Sequence, residues 1–303
     1  MGKFGVIDLG TNTFHLLLVE ANGDGTFREI YRKQHFVKLA EEGIHTIGAA
    51  PFARGLNVMQ QFKQTLDEQQ VTSLYAFGTA ALRTASNGQE FIEKVKAQTG
   101  ITVELISGER EAALIHKGVL QAVPFGVERM LIMDIGGGSV EFIIANKNQV
   151  YWAQSFPIGV AVLFHKFHHN DPIAITEIEA TQQFLQQQLQ PLQVALNQHP
   201  THTLVGASGT FDVLENILVK EKPYPHHSYL SADAFPDFYN KVVNATLQER
   251  LQMKGMPAIR VDMIVVALIL VNVVIEIAAV DQIIISEHAM KEGMLQEMLH
   301  QKT

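Results

Sequence analysis

Two short segments of the chain carry an aspartate followed by a turn of small and polar residues. Residues 6–14 read VIDLGTNTF and residues 132–140 read IMDIGGGSV, and a second apolar segment follows each of them. Glycine lets the backbone approach a ligand closely, and successive amides in such a turn form a concavity that binds anions. Because an aspartate repels phosphate directly, it is better suited to holding a hydrated Mg²⁺ that the phosphates share. The repeat predicts a duplicated domain with two phosphate-binding hairpins that face each other across a cleft.

Hydroxyl groups in both turns support this prediction. Thr11 and Thr13 in the first copy and Ser139 in the second can donate hydrogen bonds to phosphate oxygens. Two ordinary hairpins with glycine turns are the alternative interpretation. An aspartate at the same place in both copies, Asp8 and Asp134, favours the phosphate-binding interpretation.

Composition narrows the classes of function. The 303 residues allow two domains, and the hydrophobic share of 47% is enough for substantial cores. Because the chain has no cysteine, disulfides, thiol catalysis and cysteine-based zinc sites are excluded, and a reducing compartment is permitted. The net charge of -8 argues against a general nucleic-acid binder, which would have a basic surface. A polyanionic ligand must therefore be held by a local site and a metal ion.

Two apolar stretches bear on targeting and on membrane association. Asp8 interrupts the stretch near the N-terminus, so a signal peptide is not expected there. The longest apolar run, residues 263–280, contains Asn272 and Glu276 and lies between two aspartates. It predicts a buried helix, followed by a strand over residues 282–285, rather than a membrane segment. We therefore expect a cytoplasmic protein without a membrane partner.

Hydrophobic periodicity predicts alternating strands and helices. Beyond the two hairpins, strands are expected over residues 27–31, 74–78, 101–106 and 203–205. Helices are expected over residues 53–68, 90–99 and 111–121. This order predicts an α/β fold of two domains with mixed sheets. Pro124 and Gly126 interrupt the pattern and predict a domain boundary, with one domain over residues 1–123 and the other over residues 124–303. A last helix over about residues 288–303 can pack back on the first domain.

Local patterns add three predictions. Ser107 begins an imperfect capping box and residues 176–179 form a good one, so both mark helix starts. Residues 224–229 have the composition of a loop, with its two histidines at the surface. Three histidines within residues 165–169 have near-metal spacing, but a helix end is the preferred interpretation.

Three common motifs do not fit the chain. It contains no G-x-x-x-x-G-K-[ST] sequence, and the glycines of residues 136–138 lead into a strand and not into a helix. Residues 206–210 narrowly miss the G-x-S-x-G pattern of a nucleophile elbow. The interpretation that fits is a hairpin phosphate clamp of the actin, sugar-kinase and chaperone type.

Six motifs extend this interpretation along nearly the whole chain. They are residues 8–13 (DLGTNT), 78–83 (GTAALR), 106–112 (ISGEREA), 134–141 (DIGGGSVE), 206–210 (GASGT) and 291–293 (KEG). In their order and spacing the chain resembles the exopolyphosphatase/guanosine pentaphosphate phosphatase family (Ppx/GppA). The family usually has serine where Thr11 and Thr13 stand, a change that keeps the hydroxyl. The resemblance is to the short form of the family, without a C-terminal helical extension.

The resemblance implies a fold and an activity. The fold is a pair of actin-like domains of the ribonuclease H-like, sugar-kinase and chaperone ATPase superfamily, with mixed sheets flanking a central cleft. The activity is Mg²⁺-assisted release of terminal orthophosphate from inorganic polyphosphate or guanosine pentaphosphate. Glu111 matches the family's catalytic glutamate and would orient the attacking water. Asp134 and Glu141 match positions that would hold Mg²⁺ or its waters, with Asp8 as a further candidate.

Phosphoryl transfer also requires groups that position the phosphates and neutralise their charge. The candidate phosphate-binding residues are Thr11, Asn12, Thr13, Lys38, Arg83, Gly136, Gly137, Gly138, Ser139, Ser208, Gly209 and Thr210. Simpler roles are open for some site residues. Glu111 could be a solvated residue in the first turn of a helix, Arg83 could pair with a carboxylate, and Glu141 could face solvent.

Three functions compete at this point. The first is a phosphoanhydride hydrolase, the second a kinase or ATPase of the same fold, and the third a non-catalytic sensor of polyphosphate or nucleotides. The joint presence of Glu111, Asp134 and Glu141 favours the hydrolase over the sensor. The preferred substrate is open, and so is the oligomeric state, because the apolar helix can pack internally or across a homodimer.

Overall fold

The computed structural model describes residues 2–22 and 27–300. The chain divides into two units. One unit holds the residues up to Gly118 together with those from Met290 onward, and the other holds Val119–Ala289. The division therefore falls after residue 118, where the sequence pattern predicts it after residue 123. The last helix belongs to the first unit.

The strands and helices alternate along the chain. The strands are β1 (Lys3–Leu9), β2 (Thr13–Ala21), β3 (Phe27–Phe36), β4 (Ser73–Gly78), β5 (Glu104–Leu105), β6 (Met130–Ile135), β7 (Val140–Ala145), β8 (Val150–Phe156), β9 (Thr203–Ala207), β10 (His227–Ser231) and β11 (Gln282–Ser286). The helices are α1 (Ala49–Glu68), α2 (Ala80–Thr84), α3 (Gly88–Thr99), α4 (Gly108–Ala122), α5 (Val160–Phe167), α6 (Ile175–Gln188), α7 (Gln190–Gln198), α8 (Gly209–Leu218), α9 (Phe235–Val243), α10 (Leu247–Gln252), α11 (Ile264–Ala278) and α12 (Met290–His300). A 3₁₀ turn, Ala232–Ala234, precedes α9.

The first unit is built on a mixed sheet with strand order β3-β2-β1-β4-β5. β1, β2 and β3 form an antiparallel meander, and β4 and β5 run parallel to β1. β1 and β2 are buried over most of their length, as expected for nearly continuous apolar strands covered on both faces. The predicted hairpin is present, and β3 extends beyond the predicted segment to Phe36.

The second unit repeats this arrangement in a sheet with strand order β10-β11-β9-β6-β7-β8. β6, β7 and β8 form an antiparallel meander, and β9 and β11 run parallel to β6. These five strands correspond in order and direction to β1, β2, β3, β4 and β5. β10 adds an antiparallel strand at the edge beside β11. The repeated sequence motif thus lies at the same place in two sheets that share one strand order and direction.

α11 confirms the buried helix predicted from the longest apolar run. Its residues are buried on nearly every side, from Ile264 to Ala278. The side chains of Asn272 and Glu276 hydrogen-bond to each other at 2.7 Å, which satisfies the polar groups of the run. β11 follows the helix, as predicted. Among helices formed by the described residues, none has both the length and the apolar composition that crossing a membrane requires.

The strand predicted over residues 101–106 is too long. Only Glu104–Leu105 pairs with β4, although Ile101, Val103 and Ile106 are buried. Alternation reports which side chains face the core, whereas a strand also needs backbone groups on a neighbour to pair with. At this position alternating burial extends from Ile101 to Glu104 and breaks at the exposed Leu105, while strand pairing extends over only two residues.

The capping box predicted at residues 176–179 has the wrong register. α6 begins at Ile175, and the carboxylate of Glu177 accepts a hydrogen bond from the N–H of Ala174 at 2.9 Å. Ala174 has no side-chain oxygen, so only half of a capping box is formed. The box at Ser107 is also partial, but its side chain does cap α4, accepting from the N–H of Arg110 at 3.2 Å.

The loop predicted over residues 224–229 ends early because β10 begins at His227. His227 lies opposite Ser286 of β11 and is buried, so its predicted surface position is wrong, whereas His226 is half exposed. The backbone edge of β11 pairs with this segment, and local sequence does not reveal that partner. The histidines within residues 165–169 do lie at the end of a helix, α5, as predicted.

α12 packs closely on α4 within the first unit. A Cβ added at Gly293 would lie 1.9 Å from the carbonyl oxygen of Leu114, so the two helix backbones are in near contact. The neighbouring Glu292 is buried and lies 3.1 Å from the guanidinium of Arg32 on β3. The small residue and the ion pair together fix α12 against its own unit.

A second ion-pair group joins the same two helices. Glu297 of α12 accepts hydrogen bonds from Arg110 and from Lys117, whose Nζ lies 2.6 Å from the carboxylate. The hydrogen bond from Arg110, helped by that from Lys117, lowers the pKa of Glu297 from its usual 4.5 to about 2, although burial acts to raise it. Arg110 directly precedes Glu111, so this group anchors the helix that carries the candidate catalytic glutamate.

We expect Glu297→Gln to lower the free energy of unfolding at neutral pH, and the loss to shrink in acid. A carboxylate with a lowered folded-state pKa adds stability above its unfolded pKa of about 4.3, and this stability is lost as the pH falls toward about 2. Urea unfolding at about pH 7 and about pH 3 measures the difference. Glu90→Gln, which removes the exposed partner of Lys94, is the control and should change little. An equal loss at both pH values would contradict the assignment.

Candidate active site

The two glycine turns have the same geometry. The N–H of Gly10 donates to the carbonyl of Thr13 at 3.0 Å, and the N–H of Gly136 donates to the carbonyl of Ser139 at 3.0 Å. A Cβ added to either glycine would lie 2.9 Å from that carbonyl oxygen. Each turn is therefore closed by the same hydrogen bond and has the same need for a residue without a side chain.

In the second unit, the start of α5 holds the turn in a fixed orientation. The carbonyl groups of residues 136–138 accept hydrogen bonds from the N–H groups of residues 159–161, at 2.9–3.2 Å. A trans peptide unit directs its C=O and N–H in opposite directions. The N–H groups of residues 137–139 therefore point away from α5, and three successive amides form the kind of concavity that binds an anion. The hydroxyl-bearing Ser139 lies at its end and is buried.

In the first unit, the segment after β3 plays the same part. The N–H of Leu39 donates to the carbonyl of Thr11 at 2.7 Å, and the N–H groups of residues 37 and 38 donate to the carbonyl of Asn12 at 2.9 and 3.0 Å. By the same argument, the N–H groups of Asn12 and Thr13 point away from this segment. The first turn thus offers two oriented amides where the second offers three.

Lys38 is held beside the first turn by its backbone. Its φ of 49° lies in the left-handed region, which a residue with a side chain adopts only where the surroundings require it. Arg54 of α1 supports the segment on both sides of Lys38, donating to the carbonyl of Val37 at 2.7 Å and to the carboxylate of Glu41 at 2.6 Å. The backbone of Lys38 is therefore held next to that of Asn12.

Asp134 and Glu141 lie side by side on the paired strands β6 and β7. Both are buried, with 6% and 1% of their surface exposed, so the alternative that Glu141 faces solvent is excluded. Ser155 on the next strand donates to Glu141 Oε1 at 2.6 Å. In the first unit the corresponding pair is Asp8 and His15, so at this position of the hairpin the second unit has two carboxylates and the first has one.

The carboxylate pair fits the demands of Mg²⁺. Two carboxylates directly opposite each other on neighbouring strands repel, and a cation between them relieves that repulsion. Mg²⁺ is commonly held by one or two carboxylates and keeps other positions for water and substrate phosphates. Among the described residues no group of three or more His, Cys, Asp or Glu side chains is arranged to hold a metal. The donor set of Asp134 and Glu141 therefore suits a metal that binds together with its phosphate ligand.

Glu111 lies at the start of α4, where Ser107 caps the helix. Its N–H donates to the carbonyl of Ser107 at 2.9 Å, and only 8% of its surface is exposed, so it is not the solvated residue of the alternative interpretation. Arg83 lies 3.5 Å from the Glu111 carboxylate and donates to the carbonyl of Ile106 at 2.6 Å. The alternative that Arg83 pairs with a carboxylate is thus observed, and that carboxylate is Glu111 itself.

The third predicted turn, residues 208–210, leads from β9 into α8. Ser208 has a φ of 71°, and its carbonyl accepts from the N–H groups of residues 211 and 212. A Cβ added to Gly209 would lie 1.8 Å from a guanidinium nitrogen of Arg260, so that side chain packs directly on the turn. Burial lowers the pKa of Arg260, and Asp212 and Asp262 oppose that shift. Sequence reasoning missed this cation, whose only local signal is a charge just before an apolar helix.

Comparisons with known proteins agree with this geometry. The sequence profile of the Ppx/GppA phosphatase family matches residues 18–302. A guanosine-5'-triphosphate,3'-diphosphate pyrophosphatase of Vibrio parahaemolyticus is 27% identical over 298 residues, which make up 98% of this chain and 59% of that protein. The chain thus spans less than two thirds of that relative's length.

Two crystal structures are similar over the whole chain. An exopolyphosphatase from Cytophaga hutchinsonii is 39% identical, with a TM-score of 0.93 and coverage of 99% of this chain and 98% of that one. The Aquifex aeolicus member of the Ppx/GppA family is 24% identical, with a TM-score of 0.82 and coverage of 100% and 99%. With the repeated sheet, these similarities confirm the expected α/β fold of two domains with mixed sheets.

The contact between α5 and the second turn gives a test of the site's construction. We expect Gly159→Ala to lower the free energy of unfolding by about 1–3 kcal/mol, because overpacking forces the backbone apart. The added Cβ would lie 2.4 Å from the carbonyl carbon of Gly137. Urea unfolding measures the loss, and Gly126→Ala, whose Cβ would meet nothing closer than 4.0 Å, is the matched control. Equal stability of the two variants would show that this contact does not hold the turn.

Proposed function

Because the chain belongs to the Ppx/GppA phosphatase family, we propose that it is a Mg²⁺-dependent hydrolase of phosphoanhydrides. It would release terminal orthophosphate from inorganic polyphosphate, from guanosine pentaphosphate, or from both. The observation that carries the proposal is the second turn, where three oriented amides lie between the two members of a buried pair of carboxylates, Asp134 and Glu141, within one unit. That combination binds a phosphate and a hard cation together, which phosphoryl transfer requires.

We assign the binding role of each group from its charge, with positive groups and amides for phosphate and carboxylates for the metal ion. The amides of residues 137–139 and the hydroxyl of Ser139 hold phosphate oxygens, and the amides of residues 12 and 13 with Lys38 hold others. Asp134 and Glu141 would hold Mg²⁺, and when bound it would supply positive charge to neutralise the phosphate oxygens. Asp8 stays a candidate ligand, supported by its place in the repeat.

Glu111 orients the nucleophile. Its carboxylate accepts a hydrogen bond from a water, whose oxygen attacks the terminal phosphorus in line with the bridging oxygen. The bond to the bridging oxygen breaks, and orthophosphate and a chain shorter by one phosphate result. Arg83 keeps the carboxylate in place and presents a charge to the non-bridging oxygens. Orientation matters more than proton removal here, because a carboxylate is a weak base toward water.

The names of the relatives support both substrates and do not distinguish between them. The structurally similar protein from Cytophaga hutchinsonii is an exopolyphosphatase, and the relative from Vibrio parahaemolyticus is a guanosine-5'-triphosphate,3'-diphosphate pyrophosphatase.

Phosphate release with Mg²⁺ from short polyphosphate, long polyphosphate and guanosine pentaphosphate, measured side by side, tests the proposal. Release from none of them, with ligand binding intact, would favour a kinase, an ATPase or a sensor. A cytoplasmic location and a homodimer stay predictions.

Glu111→Ala should reduce kcat by about a hundredfold or more while leaving the affinity for the phosphate chain nearly unchanged. The reason is that Glu111 orients water and does not bind substrate. Steady-state kinetics and equilibrium binding together measure the two effects. Glu109→Ala is the matched control, since Glu109 lies in the same helical turn and is exposed, and it should retain activity. Equal losses of binding and turnover would instead indicate a structural role for Glu111.

Asp134→Asn should move the Mg²⁺ dependence of activity to higher concentrations, because an amide is a weaker ligand for a hard cation than a carboxylate. A titration of phosphate release against Mg²⁺ gives the shift. Asp237→Asn, an exposed change on α9 of the same unit, is the control. A metal titration identical to that of the wild-type protein would remove Asp134 from the metal site.

A further inference from the structure

The carboxyl ends of the parallel strands in the second unit form one edge of the sheet. The turn of residues 136–139 follows β6, the turn of residues 208–210 follows β9, and residues 287–289 follow β11. β10 runs antiparallel to β11, with His227 opposite Ser286, so the start of β10 lies at this same edge. In open α/β sheets, ligands bind at the carboxyl ends of the strands. The segment that leads into β10 therefore borders the phosphate-binding edge.

That segment carries a group of three rings, Tyr224, His227 and Tyr229, which we term the Tyr224 cluster. The rings of Tyr224 and His227 are stacked, with centroids 4.6 Å apart and planes within 11°. Tyr229 stands edge-on to both, at 5.7 and 5.3 Å. His227 is buried, whereas 48% of Tyr224 is exposed. A buried imidazole thus supports one face of the Tyr224 ring, and the ring is presented at the surface.

The Tyr224 cluster is tied to the helix that begins at the third turn. Glu215 of α8 is buried and accepts hydrogen bonds from Lys222 and from Ser228, one on each side of Tyr224. α8 starts at Gly209. The segment that carries the ring is therefore anchored to the same helix whose N-terminus forms part of the phosphate-binding edge.

We infer that the Tyr224 cluster is a subsite for the purine base of a nucleotide whose phosphates lie at residues 136–139. This inference rests on the proposed function and names guanosine pentaphosphate as a substrate. Aromatic faces bind heterocyclic bases by stacking, and inorganic polyphosphate has no group that would use them. Three strand intervals separate β6 from β10, or about 14 Å at the usual strand spacing, which an extended nucleoside polyphosphate can span.

The test compares two substrates in three variants of Tyr224. Tyr224→Ala should lower the ratio of kcat/KM for guanosine pentaphosphate to that for short polyphosphate by about fivefold to a hundredfold, the usual range for removing one base-stacking ring. Tyr224→Phe keeps the ring and should keep the ratio. Tyr224→Leu, which preserves packing on His227 without an aromatic face, should behave as alanine does and guards against a folding defect in Tyr224→Ala. An unchanged ratio in Tyr224→Ala and Tyr224→Leu would overturn the subsite while leaving the hydrolase intact.

Equilibrium binding separates failure of the subsite from failure of the proposed function. If the wild-type protein releases phosphate from neither substrate, the proposed hydrolase fails, and the subsite is judged by calorimetric titration with guanosine pentaphosphate. Binding that is at least fivefold weaker in Tyr224→Ala than in the wild-type protein and in Tyr224→Phe supports the subsite. Equal binding by all three proteins, or no binding by the wild-type protein, overturns it.

Discussion

The candidate site depends on the direction of a few peptide units. In each unit a short segment donates its N–H groups to the carbonyls of the glycine turn, and this turns the amides of the same peptides the other way. The approach is so close at Gly159 that even a methyl group would meet the backbone of residue 137. The sheet order brings the segment after β8 close to the turn after β6, because β8 lies two strands from β6 and ends at the edge where the turn begins. Without it, a glycine-rich turn would be flexible and its amides would have no common direction.

The duplication gives the protein two glycine turns with the same backbone geometry and with different charged side chains beside them. The second copy places Asp134 beside Glu141 and offers three oriented amides, so it suits a phosphate that arrives with a divalent cation. The first copy places Asp8 beside His15, offers two amides, and has Lys38 held next to its turn. The backbone geometry is conserved between the copies because the turn requires it.

The helix of Glu111 is held by residues distant in sequence. Its own cap, Ser107, is local, but Arg83 reaches the carboxylate from α2, and α12 contacts the helix through Gly293 and Glu297. A water-orienting carboxylate works only if it is held in one place, since misplacement by about 1 Å can cost roughly a hundredfold in rate. Under the proposed function, the contacts of α12 with α4 would therefore help to place Glu111 as well as stabilise the unit.

The sequence by itself determined the features that neighbouring residues encode. The two aspartate–glycine turns, the Ser107 cap and the buried α11 were readable, because turn chemistry, capping and apolar periodicity act over a few residues. The assignment of Glu111 came from the family resemblance instead. The roles of the turn residues and of Glu111 in binding and catalysis stay predictions.

Only the tertiary structure decided the features that depend on partners far along the chain. Arg260 lies against Gly209, Glu297 against Arg110, and the segment before β10 against Glu215. The pairing of residues 101–106 and 227–231 likewise depended on which sheet edge lay beside them. The sequence determines the chemical type of a side chain. Its burial and its partner are determined only when the backbone brings distant segments within a few ångströms of each other.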